Sequence, residues 1–251
     1  MRIFLIAVFV IWAGLAQAAC RHALVLALDI SGSVDEEEYQ LQLDGIAAAL
    51  VDDEIQDLIL AFPQAPIELA IFEWNAPGRQ RLLLDWTVLD SEETLVEIAT
   101  NFVKLPNFGG QRTTALGDAI VFSKTLMDEK RNCARRTIDI SGDGRNNSGL
   151  QPWEVYAELD MEDIIVNALA IGQPFVSLRG TVRQSPYSAE ALQRYFIREV
   201  IHGPDAFAEL ALGYKDYARA IKRKIIRELA PMHLSHLPYQ ALRLRLASLH
   251  Q

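Results

Sequence analysis

The chain alternates short apolar runs with stretches of helical spacing along most of its 251 residues. The run from Ala23 to Ile30 is almost continuously apolar, as expected of a strand that is buried on both faces. Residues 34–51 follow with the three- and four-residue apolar spacing of a helix. Because no repeat and no long linker interrupts this alternation, it predicts one α/β domain with a mostly parallel, doubly wound sheet between helices.

The remaining pattern predicts four more strands and five more helices. The predicted strands are 67–74, 80–86, 136–141 and 164–171. The first two of these are separated by a turn-like Asn-Ala-Pro-Gly segment, which is compatible with a hairpin. The predicted helices are 91–104, 115–130, 153–161, 188–201 and 206–229, in addition to 34–51.

The last predicted helix, 206–229, is inferred from a single apolar stripe. Its members fall three or four residues apart: Phe207, Leu210, Tyr214, Tyr217, Ile221, Ile225 and Leu229. Four basic residues lie near its end, namely Lys222, Arg223, Lys224 and Arg227. We expect them to form a solvated face that also complements the helix dipole.

Composition excludes several classes of protein. Half of the residues are hydrophobic and 23% are charged, which is typical of a folded globular chain. The net charge of −9 argues against a surface that neutralises nucleic-acid phosphates, so no nucleic-acid partner is expected. Two cysteines cannot supply a four-ligand zinc site, and they leave one disulfide, two free thiols or a lipid anchor.

The first 18 residues have the features of a secretory signal peptide. A basic start precedes an apolar run from Ile3 to Ala13 and the small-x-small cleavage signal Ala16-Gln17-Ala18. A retained membrane anchor and a lipoprotein are the alternatives, but the apolar run is short of ~20 residues and Gln17 replaces the lipobox leucine. We therefore expect a periplasmic or secreted domain over 19–230, no transmembrane segment after cleavage, and a tail over 231–251 without predicted structure.

Oxygen-bearing side chains follow two predicted strands and precede one helix. Asp29, Ser31 and Ser33 follow the first strand, Asp143 follows the strand 136–141, and Thr114 opens a helix. Ligand sites of open parallel sheets lie at the carboxyl ends of the strands. Carboxylate and hydroxyl oxygens are hard ligands, so this set would suit Mg²⁺, Mn²⁺ or Ca²⁺ rather than zinc or copper.

Each part of this set also has a local structural interpretation. Ser33 and Glu36 have the spacing of a capping box at a helix start. Thr114 alone is equally suited to cap a helix, and Asp143-Gly144 alone is typical of a turn. None of these separate interpretations explains why all three occur at the corresponding strand and helix ends.

The ordered motifs resemble the metal-ion-dependent adhesion site of von Willebrand factor type A domains. They are Asp29-x-Ser31-x-Ser33, Thr114-x-x-Gly117-x-Ala119-Ile120 and Asp143-Gly144. Further segments resemble a secreted bacterial subfamily of unknown function: Cys20-Arg21, Phe72-Glu73-Trp74, Ser141-Gly142-Asp143-Gly144 and Gly203-Pro204-x-Ala206-Phe207. The resemblance covers nearly all of the chain after residue 18.

The resemblance implies a sheet of strand order 3-2-1-4-5-6 and assigns roles to the motif residues. Ser31, Ser33 and Thr114 would contact a divalent cation, and Asp29 and Asp143 would act directly or through water. A carboxylate of an unknown protein partner would complete the coordination. One departure is a glycine at position 142, where many relatives have threonine.

The implied strand order also makes a prediction about the two cysteines. Cys20 lies nine residues before Asp29, and Cys133 lies ten residues before Asp143. Because the strands that end near those aspartates would be neighbours, both cysteines would lie close together at the opposite edge of the sheet. A Cys20–Cys133 disulfide is therefore plausible, with two unpaired thiols as the alternative.

An enzyme is the main competing interpretation. Haloacid dehalogenase-type phosphatases also begin with an aspartate at the end of a first strand, so Asp29 is the candidate nucleophile of a metal-dependent hydrolase. That chemistry needs a second acid two residues later, where this chain has Ser31. The sequence contains no nucleophile elbow and no phosphate loop. We therefore predict a metal-dependent binding module without catalytic residues.

Overall fold

A computed structural model describes residues 20–106, 112–172 and 188–230. The strands are β1 His22–Asp29, β2 Ile67–Trp74, β3 Gln80–Leu89, β4 Arg136–Gly142, β5 Ile164–Gly172 and β6 Ala208–Leu212. The helices are α1 Glu36–Leu50, α2 Asp53–Leu60, α3 Glu92–Phe102, α4 Leu116–Asp128, α5 Pro152–Glu158, α6 Ala189–Glu199 and α7 Tyr217–Leu229. The predicted signal peptide 1–18 and tail 231–251 lie outside the described residues. Within those ranges, no helix combines the length and the apolar character that a bilayer span requires.

The six strands form one sheet in the order β3-β2-β1-β4-β5-β6. Neighbouring strands are parallel except β2 and β3, which pair as an antiparallel hairpin. The predicted strand order and the hairpin are therefore confirmed. Since β1 is central and β4 lies directly beside it, the chain segments that leave these two strands meet at one edge of the sheet.

Two apolar cores lie on opposite faces of the sheet. In β1, Leu24, Leu26 and Leu28 face helices α1, α2, α3 and α7. The alternate residues Val25 and Ala27 face helices α4, α5 and α6. This period of two explains the continuous apolar run of β1, because both of its faces are covered.

The prediction of one helix over 206–229 is wrong for its first half. Ala208–Leu212 forms strand β6, which pairs in parallel with the free edge of β5. Gly213, with a φ of 80°, and a 3-10 turn at Tyr214–Asp216 then lead into α7. Apolar spacing over five residues does not distinguish a strand from a helix, and the unpaired backbone of β5 decides in favour of the strand.

Helix α7 also corrects the prediction of a fully solvated basic face. Lys222, Arg223 and Arg227 are partly or fully exposed, but Lys224 is completely buried. Its Nζ lies 2.6 Å from Asp139 Oδ2 and 2.6 Å from Glu228 Oε1. Residue 224 is three positions after the buried Ile221, so the helical period places it on the side of α7 that faces the sheet.

A disulfide joins Cys20 to Cys133, as predicted, with their Cα atoms 4.5 Å apart. The backbone N–H of Ala134 donates to the Cys20 carbonyl, which continues the pairing of β1 and β4 beyond their amino ends. The disulfide therefore lies at the edge of the sheet opposite Asp29. It closes a loop of about a hundred residues, which the chain-entropy model values at up to ~4.7 kcal/mol.

Candidate metal centre

Asp29 forms the floor of a site at the carboxyl end of the sheet. Its side chain is completely buried, and its Oδ1 accepts a hydrogen bond of 2.7 Å from the backbone N–H of Ser31. Its Oδ2 is buried and has no hydrogen-bond partner. A carboxylate oxygen that is buried without a partner is costly, and a bound ligand would relieve that cost; Asp139 Oδ1 and Glu228 Oε2 in the interior are likewise buried without a hydrogen-bond partner.

Ser33 connects the segment after β1 to the segment after β4. Its Oγ donates to Asp143 Oδ1 at 2.7 Å and lies 3.3 Å from Ser31 Oγ. The interpretation of Ser33 and Glu36 as a capping box is wrong, because the capping box of α1 consists of Asp35 and Glu38. The Ser33 hydroxyl is therefore directed at Asp143 instead of at the helix.

Thr114 approaches the same place from the segment before α4. It is 5% exposed, and a Cβ built on Gly144 would lie 3.5 Å from Thr114 Oγ1. Its backbone is held by Asn147, whose Oδ1 accepts from Thr114 N at 2.8 Å and whose N–H donates to Thr114 O at 2.9 Å. These bonds join the segment before α4 to the segment after β4.

The cap of α4 comes from a distant part of the sequence. Thr114 is not the N-cap of α4, which is Ala115 and makes no side-chain cap bond. Asn146 Oδ1 accepts from Leu116 N at 2.7 Å instead, and Asn146 N donates to the Tyr195 hydroxyl at 3.1 Å. Asn146 and Asn147 were not among the residues predicted from the sequence, although two adjacent asparagines after Asp143-Gly144 are a detectable signal.

Two glycines allow the segments to approach each other. A Cβ at Gly32 would lie 2.8 Å from Arg112 Cα, closer than real Cβ contacts. A Cβ at Gly142 would lie 3.1 Å from Asp29 Oδ2 and 3.3 Å from Phe196 Cζ. The departure at position 142 thus leaves room for the buried carboxylate beside the ring of Phe196.

Burial and neighbouring charge raise the pKa values of the two aspartates. Burial, followed by the negative charge of Asp143, raises the pKa of Asp29 above its usual range. Burial also raises the pKa of Asp143, and the hydrogen bond from Ser33 opposes that shift. Among the described residues, no lysine or arginine forms an ion pair with either aspartate. The site therefore holds two carboxyl groups that need a positive charge to ionise together.

An open cavity of about 650 Å³ lies above these residues. Ser31, Ser33, Thr114 and Asp143 line it, so four of the five predicted metal ligands share its wall, and Asp29 lies beneath them. Glu38 also lines the cavity, near the site as its place at the helix start suggests, and three further lining side chains were not predicted from the sequence: Arg112, Arg145 and Tyr214. Burial, and then the charge of Asp143, raise the pKa of the Tyr214 hydroxyl well above its usual value, so this group stays neutral.

The donor set fits a hard divalent cation. Asp29 and Asp143 offer carboxylate oxygens, and the hydroxyls of Ser31, Ser33 and Thr114 offer neutral oxygens. Two carboxylates balance two positive charges, and such oxygen sets suit Mg²⁺, Mn²⁺ and Ca²⁺. The orphaned Oδ2 of Asp29 gives the cation a place that no described side chain fills.

A second group of candidate ligands does not fit a metal. Glu68 lies close to the sulfurs of Cys20 and Cys133. Both sulfurs are used in the disulfide, and Lys130 Nζ pairs with Glu68 Oε2 at 2.5 Å. No ligand thiolate is present, so this group is structural.

The fold is similar to solved structures from organisms as distant as mussels and lactobacilli. The pilus adhesin SpaC from Lactobacillus rhamnosus GG gives a TM-score of 0.59 at 12% identity, over 85% of this chain and 31% of SpaC. Proximal thread matrix protein 1 from the mussel byssus, "with zinc occupied MIDAS motif", gives 0.53 at 14% identity, over 84% and 46%. A von Willebrand factor type A protein from Catenulispora acidiphila gives 0.54 at 12% identity, over 84% and 43%. This chain spans less than half the length of each of these proteins, and at these identities the likeness shows the fold alone.

The sequence itself matches one family model. No curated protein matches the chain. The family described as "Protein of unknown function (DUF1194)" matches residues 19–233, which is most of the chain. Together with the strand order and the structural neighbours, this match leads to one conclusion. The chain has a von Willebrand factor A-like fold and belongs to the DUF1194 family.

Proposed function

We propose that this protein is a metal-ion-dependent binding module for a protein partner. Asp29, Ser31, Ser33, Thr114 and Asp143 would hold a divalent cation, Mg²⁺ or Mn²⁺ with Ca²⁺ as a further candidate. When bound, the cation supplies a coordination position for a carboxylate of the partner. The chain's own part is to hold the oxygens in place through the bonds of Ser33, Asn146 and Asn147.

The observation that carries this proposal is the unpartnered Oδ2 of Asp29 beneath a polar cavity. Two mutually repelling carboxyl groups lie at one sheet edge with hydroxyl groups around them. A purely structural role would not require this arrangement, because burying two such acids without a cation costs free energy. The zinc in the mussel protein's motif belongs to that protein, so zinc is included in the test below.

The hydrolase alternative has less support. As a nucleophile, Asp29 would have to reach a substrate, but its side chain is completely buried beneath Ser31. The position two residues later, where the chemistry requires an acid, remains a serine. Neither observation favours turnover over binding.

We further propose that the protein acts in the periplasm or outside the cell. The Cys20–Cys133 disulfide supports this proposal, because such bonds persist in oxidising compartments. The predicted cleavage after Ala18 is tested by determining the first residue of the protein recovered from the periplasm. Ala19 is expected there, whereas an intact Met1 in that fraction would contradict cleavage.

The metal site is tested by thermal unfolding in EDTA and then in Mg²⁺, Mn²⁺, Ca²⁺ or Zn²⁺. A cation present at a hundred times its Kd stabilises a protein by ~2.7 kcal/mol, so we expect a clear rise in melting temperature. Asp143→Asn and Ser33→Ala should reduce or abolish the rise. Asp57→Ala, which changes an exposed acid on α2 outside the cavity, is the matched control and should keep it.

The outcomes separate a lost site from a lost fold. In EDTA, Asp143→Asn should melt no lower than the wild type, because it removes the repulsion with Asp29. If the wild type melts identically with and without every cation, and calorimetry also detects no binding, the metal site is refuted. A response that Asp143→Asn retains would place the cation elsewhere.

A further inference from the structure

The cavity above the proposed cation also carries two guanidinium groups. Arg112 comes from the segment before α4, and Arg145 comes from the segment between β4 and α5. Both side chains are exposed at the mouth of the cavity. They therefore meet whatever approaches the proposed metal site.

Neither arginine is neutralised within the described part of the chain. Some exposed cations of the described chain pair with an acid, as Arg219 does with Asp216 and Arg223 with Glu209. Arg112 and Arg145 form no ion pair and no side-chain hydrogen bond with a described residue. In a protein with a net charge of −9, two unpaired arginines in one cavity offer positive charge to a group that enters it.

Arg145 is positioned by an aromatic ring. Its guanidinium carbon lies 5.3 Å from the centroid of Tyr195, within the range of a cation–π contact. The hydroxyl of that tyrosine accepts a hydrogen bond from Asn146 N, which fixes the ring beside the cavity. Because the side chain is already held, less conformational entropy is lost when Arg145 binds an anion.

Arg112 is held at its backbone. Its Cα approaches Gly32 so closely that a Cβ there would lie 2.8 Å away. Gly32 stands between the two predicted ligands Ser31 and Ser33, so the Arg112 side chain starts beside the proposed cation. The two arginines thus flank the site from two different segments.

The charge balance of the cavity depends on the cation. Three carboxyl groups belong to the site, from Asp29, Glu38 and Asp143, against the two guanidiniums. With a divalent cation in place, positive charge exceeds negative charge, whereas the rest of the protein surface is acidic. An acidic partner would be repelled elsewhere and attracted here.

We infer that the partner segment is acidic and brings more than one carboxylate into the cavity. One carboxylate would occupy the coordination position offered by the cation, and further carboxylates would pair with Arg112 and Arg145. A planar guanidinium binds a carboxylate through two parallel hydrogen bonds, which suits Asp or Glu side chains. This inference rests on the proposed function and adds the chemical class of the partner.

The test compares two fluorescent peptides on the Mn²⁺-loaded full chain by fluorescence polarisation. One is Gly-Glu-Gly-Glu-Gly-Glu with three acidic side chains, and the other is Gly-Gln-Gly-Glu-Gly-Gln with one; both carry a C-terminal amide. We expect the three-acid peptide to bind about tenfold more tightly, since each exposed charge pair contributes about threefold. Arg112→Gln and Arg145→Gln should each reduce this ratio about threefold and leave the one-acid peptide within twofold.

Arg131→Gln is the control, because Arg131 is exposed near Cys133 at the opposite edge of the sheet. It should leave the ratio unchanged. Equal binding of both peptides, or an equal loss in Arg131→Gln, would overturn the inference while the proposed function stands. Tighter binding of the same peptide with phosphoserines in place of its glutamates would also overturn it. Loss of Mn²⁺ binding itself, measured separately by electron paramagnetic resonance, would instead refute the proposed function.

Discussion

Strand β4 and the position directly after it hold two buried or partly buried acids whose surroundings differ in charge. Asp139 lies within the strand, faces α7 and is buried together with Glu228 and Lys224. Asp143 follows the end of the strand and is buried in part beside Asp29. The first pair of carboxyl groups has a lysine between its members, whereas no described lysine or arginine contacts the second.

The two pairs differ in the source of their positive charge, because a lysine of the chain lies between the interior acids only. Lys224 pairs with both interior carboxylates, and Asn167 Nδ2 donates to Glu228 Oε1 at 2.7 Å. One ammonium neutralises one carboxylate, so the other holds a proton more tightly. Burial, and the charge of Glu228, accordingly raise the pKa of Asp139 to about 7, although Lys224 opposes the shift. At Asp29 and Asp143 no described lysine or arginine supplies that charge, and under the proposed function it would come from a cation in solution.

The largest effect is expected from a substitution that removes the lysine from the interior acids Asp139 and Glu228. Lys224→Met leaves Asp139 and Glu228 buried without their cation, and such a loss costs about 3–5 kcal/mol. Chemical denaturation should therefore show a large decrease in the free energy of unfolding. Lys222→Met, which removes a partly exposed lysine that pairs with Asp52, should cost no more than about 1 kcal/mol. Equal effects of the two substitutions would contradict the structural role of Lys224.

The next effect distinguishes the two pairs by their response to cations. Saturating Mg²⁺ or Mn²⁺ should stabilise Lys224→Met by as much as it stabilises the wild type, about 2–3 kcal/mol at a hundred times Kd. The reason is that, under the proposed function, an external cation would bind at Asp29 and Asp143 and would not reach the interior. If the divalent cation specifically rescued Lys224→Met, the two pairs would not be independent.

A smaller effect concerns pH. The pKa of Asp139 is raised above its unfolded value, so the folded state binds the extra proton and its contribution to stability is lost as pH rises from about 4 through about 7. Asp139→Asn removes this dependence. Between pH 5.5 and 8 the variant should therefore gain about 2 kcal/mol relative to the wild type.

That comparison is made by chemical denaturation in EDTA. The contributions of Asp29 and Asp143 are present in both proteins and cancel in the difference. A difference that stays constant with pH would show that Asp139 is ionised throughout the range.

The smallest effect concerns the support of the candidate site. Asn146→Ala removes the side-chain oxygen that accepts from Leu116 N at the start of α4, and losing such a cap costs about 1 kcal/mol. Cation affinity, measured by calorimetry, should fall several-fold because the segment that carries Asp143 loosens. Ser91→Ala removes the cap of α3, which lies outside the cavity, and should cost similar stability with unchanged cation affinity.

Much of the fold could be predicted because its signals are local. The apolar run of β1 and the helical spacing of α1 identify their elements directly, whereas the strand order came from the resemblance to von Willebrand factor type A domains. Strand β6 was missed because its five residues have apolar positions that fit a strand and a helix equally well. The free edge of β5, with which they pair, decides that they form a strand. Helix α2 was missed as well, since it is short and follows α1 after only two residues.

The candidate site, too, could be predicted from the sequence only in part. The residue types and spacing of Asp29, Ser31, Ser33, Thr114 and Asp143 are visible in the sequence, and their role as metal ligands stays a prediction. Asn146 and Asn147 were missed because they act on backbone groups about thirty positions earlier in the chain. Only spatial proximity reveals bonds over such distances.

The sequence by itself determined an α/β chain with oxygen-bearing side chains at the ends of two strands and two cysteines at their beginnings. These features depend on residue type and spacing, which the sequence states directly. The tertiary structure alone decided that Lys224 is internal, that Asp29 keeps an unpartnered oxygen, and that Arg112 and Arg145 share one cavity. The physical reason is that burial and charge pairing depend on contacts between different helices, strands and loops. The role of a lysine or arginine therefore depends on whether its helix or loop turns it toward the interior, toward a cavity or toward solvent.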